Sequence, residues 1–129
     1  LVVDDSRLSR LVTAAALEAE GHEVVQAGCG QEALQFCSEE PPDFILTDTW
    51  MPGMSGPDFV RLVRQQKIEA PVIVLTAATG TAARPLYDGL GISGILNKPV
   101  RSGDLRRHLA TANDDAGSRW DGVVPPPPA

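Results

Sequence analysis

Four short apolar runs each end in a chemically loaded residue. Leu1-Val2-Val3 leads to Asp4-Asp5, Phe44-Ile45-Leu46-Thr47 to Asp48, Val72 to Leu75 to Thr76, and Ile95-Leu96-Asn97 to Lys98-Pro99. Helix-like stretches lie between them, and this alternation predicts an α/β protein with a parallel sheet. Ser6 is a fitting N-cap for the first helix, where Leu8, Leu11, Val12 and Ala15 share one face and Gly21 supplies a stop. His22 to Ala27 reads as a second strand, and Gln31 to Ser38 as a helix ended by Glu39-Glu40-Pro41-Pro42. Pro57 opens a third helix carrying Phe59, Val60, Leu62 and Val63, because proline at the first helical position gives up no bonded N–H. Pro71 introduces the fourth strand. Within Thr79 to Leu90, Pro85 removes a backbone donor, so a helix there is short or begins near Arg84. Gly91 to Gly94 turns into the fifth strand, and Ser102 caps a last helix carrying Leu105 and Leu109. Periodicity stops at Asn113. The reading is five βα units over residues 1–112, then a flexible tail or linker, 113–129, with a polyproline end.

In a doubly wound sheet, ligands sit outside the carboxyl ends of the strands, at the switch point in strand order. Right-handed crossovers make the order 2-1-3-4-5 natural, with the first, third, fourth and fifth strand ends side by side. Asp4, Asp5, Asp48, Thr76 and Lys98 then share one crevice. Clustered carboxylates repel one another, and Mg²⁺, which binds carboxylates, waters and phosphate oxygens, removes that penalty. Lys98 adds positive charge from the far side. Both effects favour an ionised Asp48, as a nucleophile requires. The set suits a divalent metal and a phosphoryl group.

Composition narrows the field. A chain of 129 residues, 43% apolar and 22% charged, fits one soluble globular domain. Its net charge of −6 argues against non-specific nucleic-acid binding, which needs a basic surface. No run approaches the roughly 18 apolar residues that span a bilayer, and no signal peptide is visible, so a cytoplasmic location is expected. The start at Leu1, inside a strand, leads us to expect sequence upstream. Cys29 and Cys37 lack metal-ligand spacing and are expected to be reduced and partly buried. His22 and His108 read as surface residues, and Arg101, Arg106 and Arg107 as a solvated face near the last helix.

Asp4-Asp5, Asp48 followed by Met51-Pro52-Gly53 and Gly56, Thr76-Ala77, and Lys98-Pro99 occur in order, each at a strand end. This pattern resembles a response-regulator receiver domain over Leu1 to about Ala112. The resemblance implies a flavodoxin-like (βα)5 fold and a phosphoacceptor that takes a phosphoryl group from phosphohistidine onto Asp48. It implies Mg²⁺ held by Asp5, Asp48 and the backbone carbonyl of Trp50, with Asp4 helping through water. Thr76 would hydrogen-bond one phosphoryl oxygen and Lys98 pair with another. The implied partners are a histidine kinase or histidine phosphotransfer domain, with no direct nucleic-acid or membrane contact and with dimerisation through the last strand and helix. The implied role is regulatory rather than enzymatic, though such domains assist their own phosphorylation and dephosphorylation.

The chain departs from the family's pattern at Ile95, where receivers usually carry Tyr or Phe three positions before the lysine. Trp50 and Ala78 fill the positions that tune dephosphorylation in the family. An Mg²⁺-dependent phosphohydrolase of the haloacid-dehalogenase-like type is the alternative, but such enzymes place an acid two residues after the nucleophile, and that position here is Trp50. A flavodoxin-like FMN binder is disfavoured because the loop after the first strand is acidic and repels phosphate. The Leu-Asn-Lys-Pro-Val-Arg stretch and the Met-Pro-Gly-Met-Ser-Gly turn look most like receivers attached to hybrid histidine kinases.

Overall fold

Where apolar residues run without helical period, the computed structural model forms strands. It describes residues 1–76 and 83–107. The strands β1 (Val2–Val3), β2 (Gln26–Ala27), β3 (Ile45–Asp48), β4 (Val72–Thr76) and β5 (Gly94–Asn97) form one sheet of order β2-β1-β3-β4-β5. Every pairing is parallel. Expected and observed strand order therefore agree. Side chains alternate between faces along each strand, so β3 and β4 feed two cores. Ile45, Val72 and Val74 join one apolar cluster, and Leu46, Ile73 and Leu75 the other. Both faces are covered, as parallel sheets require.

The register levels the strand ends. Val3 pairs with Thr47, Asp48 with Leu75, and Thr76 with Asn97. Asp4, Asp48, Thr76 and Lys98 consequently leave the sheet together, at the carboxyl ends of their strands.

Among the described residues, the connections between β1 and β4 carry the helices α1 (Arg7–Ala19), α2 (Gly30–Glu39) and α3 (Gly56–Gln65). Ser6 caps α1 by accepting from the Ser9 N–H, and Ser55 caps α3 by accepting from Asp58. α3 buries Phe59, Val60 and Val63 completely. α1 is turned the other way from its most apolar stripe. Leu8, Leu11, Val12 and Ala15 form an exposed face, whereas Thr13, Ala14, Ala16 and Leu17 are buried. The inward stripe runs from Arg10, whose Nη1 donates to the Asp4 carbonyl at 2.7 Å, through Thr13 and Ala14 to Leu17. A polar tether and small side chains set the roll of this helix, letting it lie close to the sheet.

Other elements differ in detail from the sequence reading. β2 is shorter than His22 to Ala27, because β1 offers only Val2 and Val3 to pair with it. His22 is half-buried rather than on the surface, its ring meeting Phe44 edge-on at 5.9 Å. Pro85 lies in a 3-10 helix, Arg84–Tyr87, matching a start near Arg84; residues 77–82 lie outside the described part. Residues 104–107 are helical, and the capping bond seen there runs from the Arg101 N–H to the Asp104 carboxylate at 2.9 Å, not to Ser102. Arg106 meets the buried Glu20 carboxylate at the end of α1 at 3.5 Å, and Arg107 pairs locally with Asp104, so both arginines enter ion pairs rather than standing only as a solvated face. Cys29 and Cys37 are free thiols, Cys37 buried. His108, Leu109 and the expected 113–129 tail fall outside the described residues.

Candidate functional site

Asp4 leaves β1 straight into a buried network of hydrogen bonds and charge. Its Oδ1 accepts from the Ser6 N–H at 2.9 Å, and its Oδ2 lies 2.8 Å from Lys98 Nζ. The same ammonium lies 3.2 Å from Asp48 Oδ2. Asp48 Oδ1 accepts from the Thr49 N–H at 3.0 Å. Lys98 reaches both carboxylates because its own N–H donates to the Thr76 carbonyl at 2.7 Å, fixing the chain where β4 and β5 end. Asp5 is exposed at the rim. Carboxylate oxygens of Asp4, Asp5 and Asp48 lie within 4.8 Å of one another. The structure thus brings the predicted site residues to one place, with Thr76 at the end of β4 and Trp50 two residues beyond Asp48.

The charges are not equal in standing. Burial works to raise the Asp4 pKa, but hydrogen bonds from Lys98, Ser9 and the Ser6 N–H, with the Lys98 charge, bring it below the ordinary carboxylate value. At Asp48 the balance falls the other way. Burial raises its pKa, the Lys98 charge opposes this, and the neighbouring Asp4 charge adds to the rise. Lys98 does favour an ionised Asp48, as expected, yet it does not outweigh burial and Asp4. Lys98 itself is raised: burial would lower it, but its bonds to Asp4 and the two carboxylate charges prevail.

These features fit Mg²⁺. An octahedral shell with bonds of about 2.1 Å spans about 4 Å between opposite oxygens, close to the spread of the three carboxylates. The donors are hard oxygens, and the burial and neighbouring Asp4 charge that raise Asp48 both disfavour its ionised form, which a divalent cation would stabilise.

A second set of residues adjoins Asp48 that the sequence reading did not find. Thr49 and Tyr87 are each 2% exposed, and their hydroxyls lie 3.0 Å apart. The Gly56 N–H donates to the Thr49 carbonyl at 2.8 Å. A Cβ on Gly56 would sit 2.2 Å from the Tyr87 hydroxyl and 2.4 Å from the Asp48 carbonyl oxygen, so this close backbone approach demands glycine. Burial pushes the Tyr87 pKa up to about 12; the Thr49 bond opposes this, and the Asp48 charge adds to it. The available clue was that Tyr87 is the chain's one tyrosine, two residues after Pro85. Nothing in the local pattern ties it to Asp48.

Two large apolar side chains close in sequence to the site residues are open to solvent. Trp50 is 72% exposed, and Leu8, in the first turn after Asp5, is 74% exposed. A groove of about 700 Å³ lined by Pro41, Pro42, Arg64 and Lys67 includes none of the predicted site residues.

Residues 1–110 match a family model described as the response regulator receiver domain. The sensor histidine kinase AruS of Pseudomonas aeruginosa is 34% identical over 113 residues, covering 84% of this chain and 11% of that protein. Among solved structures, chemotaxis protein CheY4 of Vibrio cholerae is similar with a TM-score of 0.78 and 33% identity, over 86% of this chain and 94% of the other. A response regulator receiver domain protein from Clostridium thermocellum gives 0.75 and 29%, over 89% and 93%.

Proposed function

This chain belongs to the response-regulator receiver family, the phosphoacceptor domains of two-component signalling, and from that premise we propose that Asp48 is the residue that takes the phosphoryl group. The observation that carries the proposal is the Lys98 ammonium held between Asp4 and Asp48. Asp4 has 0% side-chain exposure and is closed to a donor, whereas Asp48, at 15%, is open and has a cation beside it. Asp5 is open but stands outside the Lys98 contacts given above.

In the transfer, an Asp48 carboxylate oxygen bonds to phosphorus while the donor's phosphorus–nitrogen bond breaks, the electron pair staying on the histidine nitrogen. The chain's task is positioning and charge neutralisation, which phosphoryl transfer mostly demands. Lys98 moves from the carboxylate to a phosphoryl oxygen, and Thr76 hydrogen-bonds another. Asp5, Asp48 and the Trp50 carbonyl would hold Mg²⁺, with Asp4 acting through water. Bound there, the ion supplies charge neutralisation for the phosphoryl oxygens. The domain is regulatory, and this site would also assist its own phosphorylation by small donors and its dephosphorylation. The phosphohydrolase reading is disfavoured because Trp50 has no titratable group to act as general acid for a leaving group.

The partner would be a histidine kinase or phosphotransfer domain. The exposed Leu8, Leu11 and Val12 of α1, starting beside Asp5, support docking of a protein with an apolar face. The similarity to AruS supports a place within a hybrid histidine kinase, with residues 113–129 as linker. We extend the proposal to a cytoplasmic domain; no helix among the described residues is long and apolar enough to cross a membrane. Dimerisation through β5 and the last helix belongs to the same proposal.

Incubation with acetyl phosphate or a phosphohistidine donor and Mg²⁺ should give an acid-stable, base-labile adduct at Asp48. Asp48→Asn should abolish it. A normal yield from that variant would overturn the assignment.

A further inference from the structure

The Lys98 flank explains how Asp48 is charged and approached, but not why two hydroxyls are buried against each other on its other side. Thr49 is tied at three points: its N–H to Asp48 Oδ1 at 3.0 Å, its carbonyl to the Gly56 N–H at 2.8 Å, and its Oγ1 to the Tyr87 hydroxyl at 3.0 Å. The missing Cβ of Gly56 leaves no spare room between the Asp48 carbonyl and the Tyr87 hydroxyl. Tyr87 in turn closes the turn over residues 87–90, its carbonyl accepting from the Leu90 N–H at 3.0 Å. Its ring lies in the cluster that contains Val74 and against which Ile95 packs.

We propose that Tyr87 is a positioning residue for Asp48, acting through Thr49, and that the phosphorylation state of Asp48 in turn sets residues 83–90. This rests on the reading of Asp48 as the phosphoacceptor. The Thr49 N–H bond to Asp48 Oδ1 is charge-assisted while the carboxylate is free. Once a carboxylate oxygen is bonded to phosphorus, the negative charge moves out onto the phosphoryl oxygens, and that bond weakens or realigns. Thr49 has little freedom to absorb the change alone, because its carbonyl and hydroxyl are also bound. The displacement reaches Tyr87, whose hydroxyl then finds a changed partner. Coupling is reciprocal. Removing the Tyr87 hydroxyl should therefore alter how readily Asp48 takes a phosphoryl mimic, although Tyr87 does not touch the reacting atoms.

Because the chain holds one tyrosine, ring-labelled ¹³C-tyrosine gives a single NMR probe in the full 129-residue protein. Beryllofluoride with Mg²⁺ serves as the phosphoryl mimic, and its bound ¹⁹F resonance reports occupancy separately. The tyrosine resonance should shift on saturation in the native chain and in Thr49→Ser, which keeps the hydroxyl. It should stay unmoved in Thr49→Val. Tyr87→Phe should still bind the mimic, with half-saturation changed about five-fold, the low end of ordinary coupling strengths. A bound ¹⁹F signal with an unmoved tyrosine resonance in the native chain overturns the proposal while leaving the phosphoacceptor reading intact, and that measurement needs no variant to fold. An equal shift in Thr49→Val overturns the route through Thr49. Absence of any bound ¹⁹F signal in the native chain overturns the phosphoacceptor reading, and this inference with it.

Discussion

Asp48 stands between two neighbourhoods built on different physics. On one side the Lys98 ammonium bridges Asp48 and the sealed Asp4. On the other, Thr49 and Tyr87 present neutral hydroxyls in the core. The charged side acts strongly on the carboxylate whatever the fine geometry, since opposite charges a few ångströms apart attract over a broad range of orientations. The neutral side acts through short, directional hydrogen bonds that weaken steeply when misaligned. The first side therefore supplies the charges that, together with burial, set the ionisation of Asp48. The second suits the detection of small displacements.

The sharpest way to separate the two sides is to remove the charge. Lys98→Ala strands Asp4 in a fully buried position, and breaking a buried pair from one partner costs about 3–5 kcal/mol. Phosphorylation of Asp48 should slow by about 100-fold or more, as when a site loses a group aimed at developing charge. Urea unfolding at neutral pH and the rate of acetyl phosphate labelling measure the two effects. Tyr87→Phe on the opposite side loses one neutral hydrogen bond, about 1 kcal/mol. Equal losses in the two variants would erase the distinction between the neighbourhoods.

The same distinction explains what was legible in the sequence. Charged residues at the ends of apolar runs mark themselves, and a parallel sheet with level strand ends gathers them. That is why Asp4, Asp5, Asp48 and Lys98 are legible as one group in the sequence. Tyr87 comes from a 3-10 helix without periodicity and meets Thr49 across 38 positions of sequence, so no local pattern announces the contact. The first helix misled in another way. Its most apolar stripe faces outward because Arg10 holds the Asp4 carbonyl and small residues seat the helix on the sheet. A hydrophobic count sees Leu8, Leu11 and Val12; the packing is decided by Arg10, Thr13 and Ala14. The net rise in the Asp48 pKa was also hidden, since it depends on how deeply the carboxyl lies.

A pH titration probes the neutral side directly. The Tyr87 phenol should ionise at about 12 in the folded chain, against an ordinary value of 10.0. Between those values the unfolded chain has released its tyrosine proton and the folded chain has not, so stability falls as pH rises through that window. The gap corresponds to roughly 3 kcal/mol, present in full below about pH 10 and lost by about pH 12. Lys98, also raised, loses its contribution as pH climbs through its folded value, so the two overlap. Tyr87→Phe separates them, and the part of the decline that disappears in this variant belongs to the phenol. Phenolate absorbance in the native chain gives the midpoint independently. A midpoint near 10 would mean that the hydroxyl is open to water and that the neutral neighbourhood is not sealed.

Gly56 offers the finest test, because it touches the neutral side without altering any charge. In Gly56→Ala the new Cβ would meet both the Tyr87 hydroxyl, at 2.2 Å, and the Asp48 carbonyl oxygen, at 2.4 Å. Overpacking of this kind typically costs about 1–3 kcal/mol. The tyrosine hydroxyl is removable, but the backbone oxygen is not. Adding Tyr87→Phe to Gly56→Ala should therefore recover part of the lost stability, leaving the remainder that Asp48's own backbone imposes. Denaturant unfolding of the two single variants and the double variant yields the interaction energy between the positions. A favourable coupling of about 1 kcal/mol, near the small end of values for touching residues, would place the Tyr87 hydroxyl in the space that Gly56 keeps open. Strict additivity would mean that Tyr87 moves aside freely, and the neutral flank would then be too loose to register a change at Asp48.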